Sequence, residues 1–256
     1  MKTLEITYAG RSVALPDLPD YRKFYGKLAG GTWEPHTFEV LARNLDRDTV
    51  YLDIGAWIGV TPFWASAVAK KVIALEPDPK CLEILEALAP AHDNVTIIAG
   101  ALSPDAQVDI HAVDGFGSSE TSALDIGDGE STRVRGYAMD ELTSLAGDSV
   151  IFVKIDIEGY EFLTTTEIAK LRNCRLSGLQ LAVHPQLFEK TLTGPKFWRR
   201  LRTSWRVWQL SRLFKGLFPP PTLAKYDGVL SYIMRGIMFR KEVKGADFVF
   251  ERELKS

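Results

Sequence analysis

Acidic residues set around glycines are the first chemistry visible in the chain. Asp53-Ile54-Gly55-Ala56-Trp57-Ile58-Gly59 closes an apolar run that begins at Val50, and Glu76-Pro77 closes the next one. Glycines at a turn between strand and helix let the backbone bend tightly and approach a ligand closely. An acid at the end of the following strand can accept hydrogen bonds from both hydroxyls of a ribose. The dinucleotide fingerprint needs three glycines, G-x-G-x-x-G, and a helix N-terminus free for pyrophosphate. Here the turn has only Gly55 and Gly59, the bulky Trp57 lies between them, and Asp53 would repel a diphosphate. Asp53 suits instead the ammonium or sulfonium region of a nucleoside that carries an amino acid. The pattern therefore favours S-adenosylmethionine over a nicotinamide cofactor. A glycine turn with surface acids in some other α/β protein is the ordinary alternative.

A third group is Lys154-Ile155-Asp156-Ile157-Glu158, with three charges at alternate positions. On a strand these point to one side. A buried parallel strand is normally apolar throughout, so charges at its C-terminal end are expected to line a ligand crevice. The bland alternative is a satisfied Lys154–Asp156 pair inside the sheet.

Elements that could position these groups follow from the hydrophobic pattern. Residues 3–15 alternate and break at Ala9-Gly10, as in a small hairpin. Helices are expected near 20–28 and 34–45. From Val50 onward, strands at 50–53, 71–75, 95–98, 150–155 and 178–183 alternate with helices at 59–69, 79–88, 139–146 and 160–170. That alternation predicts a parallel sheet covered on both faces. Residues 107–137 are polar and rich in Gly and Ser, with two short strands expected. Residues 228–239 and 247–251 read as two closing strands, an antiparallel hairpin.

Composition bounds the rest. The chain has 256 residues, 46% hydrophobic and 25% charged, with a formal net charge of −2, which suits a globular fold and gives no global attraction to nucleic acid. Cys81 and Cys174 are too far apart in sequence for a local metal motif and suggest a reducing, cytoplasmic setting. No signal peptide or membrane-spanning run is expected. Residues 186–225 differ from the remainder: nine Lys or Arg face a single acid, Glu189, so this stretch carries +8 and the rest −10. Phe197, Leu201, Trp205 and Trp208 share one helical face within it. Helix packing alone predicts that this face packs on the sheet or on a second subunit, giving a homodimer. The charge split instead suits peripheral membrane contact through 196–218, or an anionic or lipid-linked acceptor.

The segments "VYLDIGAWIG", "VIALEPDP", "ALSPDAQV" and "VKIDIEGYE" stand in an order and spacing that resembles the FkbM-type methyltransferases. The resemblance covers about residues 50–185. It implies a class I methyltransferase fold: a Rossmann-like, doubly wound α/β sheet, mostly parallel. It implies an S-adenosylmethionine-dependent enzyme, many of whose relatives O-methylate sugars or hydroxylated natural products. Carried over, Asp53, Gly55 and Gly59 line the cofactor turn, Glu76 holds the ribose, Ala101 and Leu102 lie near the adenine, and Asp156 lies near the methyl-transfer face. The family usually has asparagine where this chain has Trp57, so the amino-acid end of the cofactor would be held differently. The domains expected are an N-terminal hairpin and helices (1–49), the cofactor-binding core (50–185), a basic helical insert or cap (186–228) and closing strands (229–256).

A hydroxyl acceptor needs a base, and Asp156, Glu158 and His184 are the candidates. His184 ends the fifth expected strand. No metal is expected, because nothing in the sequence fixes a ligand spacing for these three. His36, His92 and His111 lie on outer elements and are not expected to be catalytic. Ser118 and Ser119 could reach the cofactor from the middle loop, and Trp33-Glu34-Pro35-His36 reads as an ordinary helix start rather than a lid. The expectation is a small-molecule or glycan O-methyltransferase. The competing functions are a nicotinamide oxidoreductase and a nucleic-acid methyltransferase that uses the basic insert. The latter ranks low because no N-P-P-Y-type tetrad is present.

Overall fold

The computed structural model describes residues 3–8, 10–112, 115–118, 121–125, 129–238 and 245–252. The chain opens with a hairpin, β1 (Thr3–Tyr8) and β2 (Arg11–Pro16), then α1 (Arg22–Ala29) and α2 (Pro35–Asn44). The alternating region runs β3 (Thr49–Ile54), α3 (Val60–Ser66), β4 (Lys71–Glu76), α4 (Pro79–Leu88) and β5 (Val95–Ala99). Four strands follow: β6 (Ala101–Leu102), β7 (Gln107–Ala112), β8 (Thr121–Ser122) and β9 (Glu130–Tyr137). The alternation resumes with α5 (Met139–Ser144), β10 (Val150–Ile155), α6 (Thr165–Ala169) and β11 (Leu176–Val183). The chain ends with α7 (Pro185–Thr191), α8 (Lys196–Ser211), α9 (Val229–Met238) and β12 (Ala246–Glu251).

The main sheet has the order β12-β11-β10-β3-β4-β5 and is parallel except for β12. From β3 the chain winds one way through β4 and β5. It then returns and winds the other way through β10 and β11. The order reverses between β3 and β10, and in an open α/β sheet that is where a crevice opens at the strand C-termini. Both faces are covered. Leu52, Ile54, Val153, Ile155 and Leu181 pack with Met139, Ile168, Val207, Leu210 and Tyr232 from α5, α6, α8 and α9. Tyr51, Val72, Ala74 and Phe152 pack on the other face with Phe38, Leu41, Phe63, Trp64 and Leu85 from α2, α3 and α4. Burial on two faces explains why these strands are continuous apolar runs.

Three expectations need correction. The stretch 228–239 is not a closing strand: 229–238 form α9, and Phe239 lies outside the described residues. Val229, Tyr232 and Ile233 pack inward at helical spacing. The closing hairpin is thereby reduced to one antiparallel strand, β12, with a single bridge from Thr222 to Val249 on its outer edge. The stretch 107–137 holds more order than two short strands, since β6, β9, β7 and β8 make a second sheet in that order. The expected helix 160–170 is broken into a 3-10 turn at Tyr160–Phe162, then α6. There the Thr164 hydroxyl donates to the Tyr160 carbonyl at 3.0 Å, and the Thr165 hydroxyl donates to those of Glu161 and Phe162.

The two ends of the chain meet. On α2, Arg43 forms a bidentate pair with Glu251 of β12, with its nearest contact at 2.8 Å, and Asn44 donates to the same carboxylate at 2.8 Å.

Candidate active site

A cavity of about 510 Å³ opens at the C-terminal ends of β3, β4 and β10. Its wall includes Gly55, Trp57, Glu76, Pro77, Ala101, Leu102, Asp156 and Glu158. Eight of the residues singled out in the sequence therefore come together. Asp53, Gly59 and His184 do not line the cavity, and each has another role.

Asp53 is fully buried and was expected beside the ligand. In the β3–β10 register it lies opposite Lys154, on the face that also carries Tyr51 and Phe152. Its carboxylate accepts from Thr61 Oγ1 at 2.5 Å and lies 3.6 Å from Lys154 Nζ. Lys154 also reaches Asp156 at 3.4 Å. Burial works against its ammonium, but the Asp53 and Asp156 charges outweigh that and push its pKa above the ordinary value. Asp53 thus anchors a buried cation at the floor of the cleft.

Gly55 and Gly59 differ in purpose. Gly55 has φ +88, and a Cβ there would lie 1.9 Å from the Asp156 carbonyl oxygen. Only glycine lets β3 turn across the end of β10 while Asp156 N–H donates to Ile54 O at 2.9 Å. Gly59, φ +91, starts α3, and a Cβ there would strike the Phe63 ring. It serves helix packing.

Glu76 is buried at the end of β4. One of its oxygens accepts from Trp57 N–H at 2.7 Å and the other from Asp78 N–H at 2.9 Å. Burial pushes its carboxyl up to about 7, against the pull of those two donors. The first of them holds Trp57 in a left-handed conformation, φ +49. Among the described residues the non-glycine positions with positive φ are Glu34, Trp57 and Glu158, and all three line the cavity. Backbone strain gathers at sites whose geometry is over-determined by their surroundings.

The Trp57 ring packs against Phe24 at 4.7 Å, Tyr21 at 5.7 Å and Trp33 at 6.3 Å. Trp33 and Glu34, read from the sequence as an ordinary helix start, are cavity-wall residues. The middle loop closes from the opposite side. Asp78 caps α4 through Lys80 and Cys81 N–H, and its second oxygen accepts from Gly117 N–H and the Thr121 hydroxyl, each at 2.7 Å. Gly117 carbonyl in turn accepts from Tyr21 hydroxyl at 2.6 Å and Trp57 Nε1 at 3.3 Å. Ser118 lies in the wall, and Ser119 falls outside the described residues.

The strand β10 ends at Ile155, so Asp156 and Glu158 enter the cleft from the turn that follows, not by strand alternation. The Ser122 hydroxyl supports this turn by donating to Glu158 carbonyl at 2.8 Å. His184, at the end of β11, places Nε2 3.8 Å from Asp156 and 3.6 Å from Glu158, with Nδ1 3.8 Å from Glu161. Burial disfavours its charge, but the three carboxylates outweigh that and raise its pKa to about 9. That shift favours the imidazolium at neutral pH and works against the role of base expected from sequence. Asp156, Glu158 and His184 each offer one donor atom within 4.8 Å of the others, a spacing that would accept a divalent cation if the histidine lost its proton.

Glu34 is the residue that sequence reasoning missed. Crowding by protein and the neighbouring Asp156 charge push its carboxyl up to about 7. The Glu34 side chain is exposed, and its carboxylate accepts from the Thr37 hydroxyl at 3.2 Å. Asp156 goes the other way. Burial raises its pKa, but Lys154 and His184 outweigh burial and hold it below the usual carboxylate range.

The cavity suits S-adenosylmethionine. Glu76 offers carboxylate oxygens for a ribose, Ala101 and Leu102 offer an apolar wall for a base, and Gly55 leaves the turn without a side chain. A family model described as "Methyltransferase FkbM domain" matches residues 53–206. A search of curated proteins gives no match. Among solved structures, the FkbM methyltransferase of Methylobacillus flagellatus is 13% identical with TM-score 0.48, covering 92% of this chain and 56% of that one. SMU.1697c, a putative methyltransferase from Streptococcus mutans in complex with SAH, is 13% identical with TM-score 0.47, covering 85% and 96%. The Methanococcus jannaschii fibrillarin pre-rRNA processing protein is 14% identical with TM-score 0.44, covering 83% and 70%. The family match spans more than half of the chain, so the chain belongs to the FkbM methyltransferase domain family and is an S-adenosylmethionine-dependent methyltransferase.

Proposed function

We propose that the acceptor atom is a hydroxyl oxygen, carried by a sugar, a glycan or a hydroxylated natural product. The observation that carries this reading is the place of Glu34 in the cleft wall together with Asp156, where burial and the Asp156 charge push its carboxyl up to about 7. A hydroxyl is a poor nucleophile until a base takes its proton, and a base matched to the working pH does so best. An amine acceptor would need no such group once neutral. S-adenosylmethionine supplies a methyl group already activated on a sulfonium.

The chain's own residues then have three tasks. Glu76 holds the cofactor's ribose, Asp156 accepts a hydrogen bond that aims the acceptor hydroxyl, and Glu34 takes its proton as the new bond forms. Lys154 and His184 keep Asp156 ionised, which makes it a positioning group and a weak base. Aligning the acceptor within about 3–3.5 Å of the methyl supplies several kcal/mol.

The test uses isotopically labelled S-adenosylmethionine and a panel of saccharides and polyols, with the methylated atom located by mass spectrometry and NMR. At saturating cofactor, turnover is expected to rise with pH through about 7, as the Glu34 carboxyl deprotonates. Glu34→Gln should lower kcat by about 10²–10⁴-fold, abolish that rise and leave cofactor affinity unchanged. Asp156→Asn should lower kcat and move the pH rise to lower pH, because it removes a charge that raises the Glu34 carboxyl. A methyl group found on nitrogen, or full turnover by Glu34→Gln, overturns the reading.

A further inference from the structure

The helix α8 is packed with its apolar stripe outward. Phe197 (63% exposed), Trp198 (55%), Leu201, Trp205 (56%) and Trp208 all face away from the protein. Its inward face is Thr203, Ser204, Val207, Leu210 and Ser211, and the hydroxyls of Thr203 and Ser204 are buried there without hydrogen-bond partners. Of the two packings expected from sequence, on the sheet or on a second subunit, this rules out the first. The helix α9 packs beside α8 and adds Leu230 (71%) and Met234. Among the described residues, seven of the nine exposed large hydrophobic side chains lie on these two helices. Monomeric proteins rarely gather exposed apolar groups in this way without a partner.

The charge of the region selects the partner. Arg202 and Arg212 interrupt the outward stripe, Lys196 and Lys215 flank it, and all four are exposed. Arg212 lies over the Trp208 ring at 5.7 Å. Residues 186–225 carry +8 with Glu189 as their only acid, and Glu189 lies 3.9 Å from Arg200. A second copy would set Lys196, Arg202, Arg212 and Lys215 against their own counterparts. A nucleic acid would satisfy the charges and could stack bases on Phe197 and the tryptophans, but it would offer nothing to bury Leu201, Leu230 and Met234. A bilayer with anionic headgroups satisfies both, because aromatic and aliphatic side chains enter the acyl boundary while Arg and Lys stay at the phosphates. The sixteen residues of α8, about 24 Å at 1.5 Å per residue, are suited to lying flat on it.

We propose that the outer faces of α8 and α9 seat this methyltransferase on an anionic membrane surface. The cleft lies close to that surface. Arg206 of α8 donates to the Phe162 carbonyl in the turn after Glu158, and α7, which leads into α8, begins directly after His184. An acceptor held in the bilayer would therefore reach the cleft from its Asp156 side. The seating itself is independent of which acceptor atom is methylated and is read by binding alone.

The full chain is floated with vesicles of phosphatidylcholine alone and with vesicles containing added phosphatidylglycerol, at low and high salt. The wild type is expected to float with the anionic vesicles at low salt and to be released by high salt. The double variant Trp205→Ser with Trp208→Ser, and separately Arg202→Gln with Arg212→Gln, should each lower the bound fraction by about tenfold or more. Circular dichroism and cofactor affinity should match the wild type for both, since these side chains point away from fold and cleft. Failure to float with anionic vesicles, or equal binding to neutral ones, overturns the proposal. So does equal binding by the variants. A dimer in sedimentation that the tryptophan variant dissolves would assign the surface to a second copy, and preferential, salt-sensitive RNA binding through the same residues would assign it to nucleic acid.

Discussion

Each oxygen of Glu76 accepts one backbone N–H and so keeps a lone pair for a ribose hydroxyl. Glu76→Ala is expected to weaken S-adenosylmethionine binding by about 1.5–3 kcal/mol, the worth of hydrogen bonds to a charged group. An unchanged affinity in calorimetry would remove Glu76 from the ribose. Its raised pKa adds a pH signature. The diol is recognised by the ionised carboxylate, so affinity should fall as pH drops below about 7, and binding near that pH should release a proton. Calorimetry in buffers of different ionisation enthalpy measures that proton directly. His184 bears on the metal question at the same scale. Asp156, Glu158 and Glu161 raise its pKa to about 9, so a divalent cation at this cluster has to displace a proton from the ring. Exhaustive chelation is expected to leave turnover unchanged. Loss of turnover restored by a divalent ion would instead make the Asp156–Glu158–His184 cluster a metal centre.

At the scale of elements, the turn from β3 into α3 is the least tolerant part of the site. Gly55→Ala combines a positive φ with a Cβ placed 1.9 Å from a backbone oxygen. It should cost about 3 kcal/mol or more of stability, since strain and a backbone clash act together. Denaturant unfolding of the variant with near-wild-type stability would show that β3 and β10 can part there. Much of this framework was legible in the sequence. The strand 150–155 and the helix 79–88 have the expected bounds, the first because both its faces are buried and its residues are apolar apart from Lys154, the second because Asp78 and Pro79 mark its start. The α9 segment misled because Val229, Leu230, Tyr232, Ile233 and Met234 are β-compatible as a list, and only the sheet-side burial of Val229, Tyr232 and Ile233 shows the helical period. Glu34 was hidden for another reason. Its role depends on Asp156, more than a hundred residues away, and a local pattern of Trp-Glu-Pro says only that a helix begins. Asp78 was read as part of a family segment, but its grip on Gly117 and Thr121 is a long-range contact with no local signature.

The whole molecule is divided by charge, with +8 concentrated in residues 186–225 and −10 over the rest. No helix among the described residues is long and apolar enough to cross a membrane. The six tryptophans are divided as well. Trp33 and Trp57 line the cleft, Trp64 is fully buried beneath α2, and Trp198, Trp205 and Trp208 lie on the outer stripe of α8. The protein therefore carries three optical populations without any label. A cofactor entering the cleft is expected to change the emission of Trp33 and Trp57, which line it. A water-soluble quencher such as iodide reaches the α8 trio first and leaves Trp64 dark to it. Cofactor occupancy and surface occupancy can then be followed in one cuvette as separate signals from the unmodified chain.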